Sequence, residues 1–214
     1  MKVTAKICGL KDAASLDAAL AGGAGMVGFV FFPPSPRSLP AGKAAALMAR
    51  VPAGVDRVAV LVDPDDALLD ELVARTPVEI LQLHGRESPE RAAAIAARTG
   101  RRVMKAVKVK DAADLDGAAV YEPVVDHLLF DAWPPSRDGA LPGGNGEPFD
   151  WPLLAGRRFG RPWLLSGGLT AENVASAVAA SGAAGVDVSS GVERSPGVKD
   201  PARIAAFLDA CAAL

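Results

Sequence analysis

With 214 residues, half of them hydrophobic, the chain can fill one sizeable core. Its 23 Lys and Arg offset 25 Asp and Glu to a net charge of −2 and are scattered, which argues against a nucleic-acid surface. No apolar run approaches the roughly 20 residues that span a bilayer, and the N-terminus enters a strand pattern without an apolar leader.

Short apolar runs recur from one end of the chain to the other. They predict strands at 3–7, 26–31, 57–62, 78–83, 102–107, 127–130, 163–165 and 185–188. Most are continuous rather than alternating, as expected of strands covered on both faces in a parallel sheet. Helices are expected between them. Asp63-Pro64, Ser88-Pro89 and Asp200-Pro201 each set a capping side chain before a proline suited to the first turn, and Thr170 offers a cap before 171–180. Apolar stripes run through Leu68, Leu72 and Val73 in one helix and through Ile204, Leu208 and Cys211 in the last. The first strand turns through Cys8-Gly9-Leu10-Lys11, which lacks the G-x-G-x-x-G of a dinucleotide-binding open sheet. The expected fold is therefore α/β, a single (β/α)8 TIM barrel over 1–214. It carries one long loop at about 132–148, read as a lid ahead of a disordered segment because it follows the C-terminal end of a strand.

In such a barrel the polar residues at C-terminal strand ends share one mouth. They are Cys8, Ser35 and Arg37, Asp63, His84, Asp131, Ser166-Gly167-Gly168 and Ser189-Ser190-Gly191. Gly167, Gly168, Ser189, Ser190 and Gly191 follow the last two strands, where backbone N–H groups of this fold often meet phosphate; either loop alone would read as an ordinary turn. Cys8 reads equally as a small buried hydrophobe and as a base whose thiol pKa is lowered by its surroundings. Asp131, beside an apolar strand, is a cap or a general acid kept protonated by partial burial. Arg37 is a solvated loop charge or a guanidinium held by prolines to fork a carboxylate. His84 is a structural hydrogen-bonding group or a substrate contact. Lys6 is placed away from the neighbours of Cys8, free to pair with a carboxylate. The two cysteines, Cys8 and Cys211, and the spacing of His84 and His127 fit a reducing, cytoplasmic setting with no zinc site.

An ordered set of motifs carries more. Lys6-Ile7-Cys8-Gly9, Gly28-Phe29-Val30-Phe31 with Ser35-Pro36-Arg37, and Leu81-Gln82-Leu83-His84-Gly85 are followed by Phe149-Asp150-Trp151 and Leu165-Ser166-Gly167-Gly168-Leu169 with Glu172-Asn173-Val174. Val186-Asp187-Val188-Ser189-Ser190-Gly191-Val192-Glu193 and Lys199-Asp200 complete it. Together they resemble the phosphoribosylanthranilate isomerase family of tryptophan biosynthesis. The resemblance implies an aldose–ketose Amadori rearrangement of N-(5-phosphoribosyl)anthranilate to 1-(2-carboxyphenylamino)-1-deoxyribulose 5-phosphate. Cys8 would be the general base and Asp131 the general acid. Arg37 would hold the anthranilate carboxylate, with His84 also at the substrate, and the two Gly/Ser loops would hold the phosphate. No metal or organic cofactor is implied, and the expected partner is a small phosphorylated substrate, with neither nucleic acid nor membrane, on a monomer or homodimer. Asn145 in Gly143-Gly144-Asn145-Gly146, where the family usually has Ser or Thr, and Ala132, where Thr is common, depart from the pattern. The rival readings are a metal-dependent pentose-phosphate epimerase, for which paired His and Asp residues are lacking, and a non-catalytic sugar-phosphate-binding barrel, which would not need Cys8 and Asp131.

Overall fold

The computed structural model describes residues 3–133, 143, 144, 146 and 148–214. Eight parallel strands close into a barrel in chain order. They are β1 (Thr4–Cys8), β2 (Met26–Val30), β3 (Asp56–Leu61), β4 (Ile80–Leu83), β5 (Arg102–Val109), β6 (His127–Ala132), β7 (Trp163–Leu165) and β8 (Gly185–Val188). β8 returns to β1 with Asp187 opposite Lys6. All eight predicted runs are strands, and the barrel is the predicted fold.

Seven helices surround it among the described residues: α1 (Ala13–Ala21), α2 (Ala41–Met48), α3 (Asp66–Arg75), α4 (Pro89–Thr99), α5 (Ala112–Asp116), α6 (Val174–Ser181) and α7 (Pro201–Ala212). Ser88 and Asp200 cap α4 and α7 ahead of a proline as predicted. Two other expected caps move. The α3 cap is Asp65, which accepts from Leu68 N at 2.8 Å, whereas Asp63 takes a positive φ of 45° and accepts from Arg86 N instead. Helix α6 starts at Val174 because Asn173 closes a turn on Thr170 N and Gly168 O. In α3 the fully buried positions are Leu69 and Leu72, with Leu68 and Val73 at the margin. Each such buried leucine contributes roughly 1.5–3 kcal/mol relative to exposure.

Between β6 and β7 the described covering element is a single 3-10 turn, Trp151–Leu154. Phe130, Phe159 and Trp163 pack there, with ring centroids 4.6 to 5.8 Å apart in tilted and edge-on pairs that cover the outside of the sheet. The lid predicted at 132–148 falls largely on residues 134–142, 145 and 147, which lie outside the described residues, as does the departure at Asn145.

The barrel interior is layered. Met26, Val58, Ile80, Met104, Ala106, Leu129 and Leu164 make an apolar floor. Above it lies a buried polar layer of Lys6, Gln82 and Asp187, and above that the mouth, where Cys8 packs with Val30 and Val60. Apolar packing below and polar groups above leave the C-terminal ends of the strands as the reactive face.

Candidate active site

A cavity of about 840 Å³, including its part open to solvent, occupies that mouth. The nine residues to which the family resemblance gives a catalytic or binding role line it: Cys8, Arg37, His84, Asp131, Gly167, Gly168, Ser189, Ser190 and Gly191. Asp63, also at a strand end, does not line it. Its carboxylate is used on the backbone of Arg86, and its N–H donates to Glu87 at 2.8 Å.

On the β1–β8 side, Cys8 is buried at the tip of its strand. Lys6 lies two residues earlier and so on the same inward face. This corrects the placement of Lys6 away from Cys8. A Cβ added at Gly28 would sit 3.0 Å from Cys8 Sγ and 3.4 Å from Lys6 Cε, so the two side chains flank one point. The carboxylate expected for Lys6 is Asp187, with Nζ donating to Oδ1 at 2.8 Å; Ser166 Oγ donates to the other oxygen at 3.1 Å. Burial would discharge Lys6, but Asp187 and Cys8 hold it charged, with its pKa raised. Burial also pushes the Cys8 thiol up, and the nearby charge of Lys6 recovers only part of that. The shift is therefore opposite to the lowered thiol pKa expected of a base.

On the β4–β6 side the opposite shift occurs. His84 Nε2 lies 3.1 Å from Asp131 Oδ2, and Lys108 Nζ lies 2.9 Å from the same oxygen. Burial alone would raise the Asp131 carboxyl, but the Lys108 charge and the His84 contacts hold it well below the usual carboxylate range. This is the reverse of an acid kept protonated by burial: desolvation is the largest influence, but Lys108 and His84 together outweigh it. Oδ1 accepts the Ala132 N–H at 3.0 Å. His84 is held neutral, first by burial and then by Lys108.

Arg37 is buried, and half of its fork is already taken. Nε and Nη2 bind the two oxygens of Glu193 at 2.8 and 2.9 Å, and Nη2 also donates to Gly144 O at 3.2 Å. Glu193 is fixed in turn by Lys199 at 2.8 Å and by the Gly197 N–H. It begins a hairpin of β9 (Glu193–Ser195) and β10 (Val198–Lys199). Gly9 is needed beneath the arginine: its φ is 80°, and a Cβ there would come within 2.8 Å of Arg37 Cδ. Nη1 has no partner among these contacts and, with the cavity beside it, presents the free edge of the guanidinium.

The two glycine-rich turns adjoin at one side of the cavity. Gly191 packs so tightly on the Leu169 carbonyl oxygen that a Cβ would overlap it, which locks the β8 turn against the β7 turn. Lys199 Nζ, buried, donates to Ser189 O at 2.9 Å and to Ser189 Oγ at 3.2 Å, bringing positive charge to this corner. The arrangement offers an acid/base pair, a cationic edge and backbone anion donors around one cavity.

Sequence reasoning missed Lys108, the grip of Glu193 on Arg37 and the tie from Lys199 to Ser189. Lys108 had a readable signal: it continues the inward row Met104, Ala106 on β5.

The chain matches the family model described as N-(5'phosphoribosyl)anthranilate (PRA) isomerase over residues 5–210. It is 58% identical to N-(5'-phosphoribosyl)anthranilate isomerase of Paracoccus denitrificans, covering 97% of this chain and 96% of that one. It is 56% identical to the Rhodospirillum centenum protein over the whole of both. Among solved structures, phosphoribosyl anthranilate isomerase from Thermotoga maritima superposes with a TM-score of 0.88 at 36% identity, covering 99% of this chain and all of that one. A phosphoribosyl anthranilate isomerase in complex with reduced 1-(o-carboxyphenylamino)-1-deoxyribulose 5-phosphate superposes with a TM-score of 0.83 at 33% identity, with coverage of 99% and 100%. The chain belongs to the N-(5'-phosphoribosyl)anthranilate isomerase family.

Proposed function

We infer that the chain converts N-(5-phosphoribosyl)anthranilate to 1-(2-carboxyphenylamino)-1-deoxyribulose 5-phosphate, the aldose–ketose isomerisation of tryptophan biosynthesis. The observation that carries the mechanism is that Cys8 and Asp131 line one cavity from different strands, with Arg37 and the two glycine turns at its rim.

In this reading Asp131 gives a proton to the ribose ring oxygen. The C1–O bond breaks as the anilino nitrogen's lone pair forms C1=N, leaving a protonated Schiff base. Cys8 as thiolate then removes the C2 proton, and the electron pair moves through C2=C1 to neutralise the nitrogen, giving an enolamine. The thiol returns its proton to C1 while the enol proton goes back to the Asp131 carboxylate. Both groups are restored and no proton is gained or lost. The substrate nitrogen serves as electron sink, so the reading calls for no cofactor.

The resting protonation is the reverse of what this sequence starts from, with the exchangeable proton on Cys8 rather than Asp131. Exchanging them leaves the net charge unchanged. The mechanism calls for that exchange when substrate binds; once ring opening has formed the Schiff-base cation, its charge stabilises the thiolate. Arg37 meets the anthranilate carboxylate with its open edge, His84 contacts the substrate beside Asp131, and Gly167, Gly168, Ser189, Ser190 and Gly191 receive the phosphate.

The test follows substrate fluorescence with pure protein. Loss of the phosphoribosylanthranilate signal with formation of the ketose is expected, and a protein that binds the substrate without consuming it would overturn the reading. A single domain over 1–214, a monomer or homodimer, and a cytoplasmic location belong to the same proposal; light scattering decides the assembly.

A further inference from the structure

Lys108 has no part in the reaction as written, yet it occupies the most polar contact in the mouth. It stands on β5 in register with Asp131 on β6, on the inward face, with its side chain only 17% exposed. Its Nζ lies 2.9 Å from Asp131 Oδ2 and 2.6 Å from His84 Nε2. Lysine offers only N–H donors, so a contact of 2.6 Å requires Nε2 to be an acceptor. The ring proton then sits on Nδ1, 2.8 Å from Gln82 Nε2; that amide is read turned about, so that Oε1, which has no other partner among the described residues, accepts from the ring. In that tautomer His84 has no N–H for Asp131. Among the described residues Lys108 then alone donates to Oδ2, and it bridges acid and imidazole.

We propose that Lys108 is a positioning residue for Asp131, holding Oδ2 in place and governing when that carboxyl carries a proton. The inference rests on the reading of Asp131 as the acid. The ionisable groups around the bridge are His84 on β4, Asp131 on β6 and Lys105 on β5 itself, the last paired at 2.8 Å with Glu87 before α4. Asp187 on β8 acts on His84 from deeper in the barrel. Of these cations only Lys108 touches Asp131 Oδ2. Removing it should therefore raise the carboxyl; His84, neutral, cannot replace it.

The experiment titrates the carboxyl carbon of Asp131 by NMR in protein labelled with 13C-aspartate, the signal being assigned by its loss in Asp131→Asn. In Lys108→Met the titration should move up by roughly 1–3 pH units, the usual effect of an adjacent opposite charge. In Lys108→Arg it should stay near the wild-type position. The low-pH limb of kcat/KM should follow the same order. Binding of the reduced ketose phosphate shows that each variant is folded. An unchanged Asp131 titration in Lys108→Met overturns the proposal, as does a shift in Lys108→Arg equal to that in Lys108→Met. So does a loss of turnover at every pH with no movement of the limb, which a purely structural role would give. Wild-type turnover by Asp131→Asn would instead sink the acid assignment, a failure visible apart from the titration.

Discussion

Two lysines point into this barrel beside the two groups of the reaction, and they act in opposite circumstances. Lys6 is wholly buried, and its ion pair with Asp187 stitches β1 to β8 at the closure of the sheet. Lys108 reaches solvent at the rim and spends its charge on Asp131. The deep lysine fails to bring the Cys8 thiol down because its charge is shared with Asp187 and burial dominates. At the rim, burial is again the largest single influence, but Lys108 and His84 together prevail over it at Asp131. Distance to a cation does not fix an ionisation state; what else that cation must neutralise decides it.

The largest effect should come from the reacting groups on either side. Cys8→Ala and Asp131→Asn are each expected to lower kcat by about 10²–10⁴-fold, the usual contribution of a positioned acid or base. The reduced ketose phosphate should still bind both. Near-normal turnover in either variant removes that residue from the mechanism.

Removing each lysine separates the two pairs in stability. Lys6→Met leaves Asp187 buried without a counter-charge and should cost about 3–5 kcal/mol by urea denaturation. Lys108→Met removes a lysine that is itself 17% exposed, from a buried carboxylate that still lies against His84, and should cost less. Equal losses would mean that depth in the barrel does not distinguish them.

The residues proposed to react and bind could be read from the sequence because each stands at a strand end or in a motif just after one. Cys8 before Gly9, Arg37 after its prolines and the two glycine turns all announce themselves locally. The partners that set their chemistry do not. Glu193 is 156 residues from Arg37, Asp187 is 181 from Lys6, and Lys108 is 23 from Asp131, so each pairing exists only once strand register is fixed. The misplacement of Lys6 had a different origin. Alternation puts positions 6 and 8 on one face, and a strand that curves into a closed barrel keeps that parity. Burial of Asp131 was foreseen, but its sign of shift needed the neighbour on β5.

A smaller change should follow from loosening the arginine that joins the two sides. Arg37→Met should raise KM by the loss of a charged hydrogen-bonding group, about 1.5–3 kcal/mol, with kcat less affected. Glu193→Gln should raise KM less, because it only weakens the anchor on Nε and Nη2. A larger KM effect from Glu193→Gln than from Arg37→Met would show that Arg37 does not face the substrate.

The smallest effect concerns the second thiol. Cys211, on the buried face of α7, is pushed up to about 11 by burial alone, with no lysine to oppose it. An acid whose folded pKa is raised keeps its proton while the unfolded chain loses it. The unfolded state then binds fewer protons, and stability falls as pH rises from the ordinary thiol pKa near 9 towards 11. Below that window the group contributes no slope. Cys211→Ala should therefore leave kcat and KM unchanged and make the loss of stability between pH 8 and 10 shallower than in the wild type. Cys8 remains in both proteins, so the difference between their urea-denaturation slopes isolates the outer thiol. Identical slopes would mean that Cys211 ionises in the folded protein as readily as in water, and that burial alone does not hold a thiol up in this barrel.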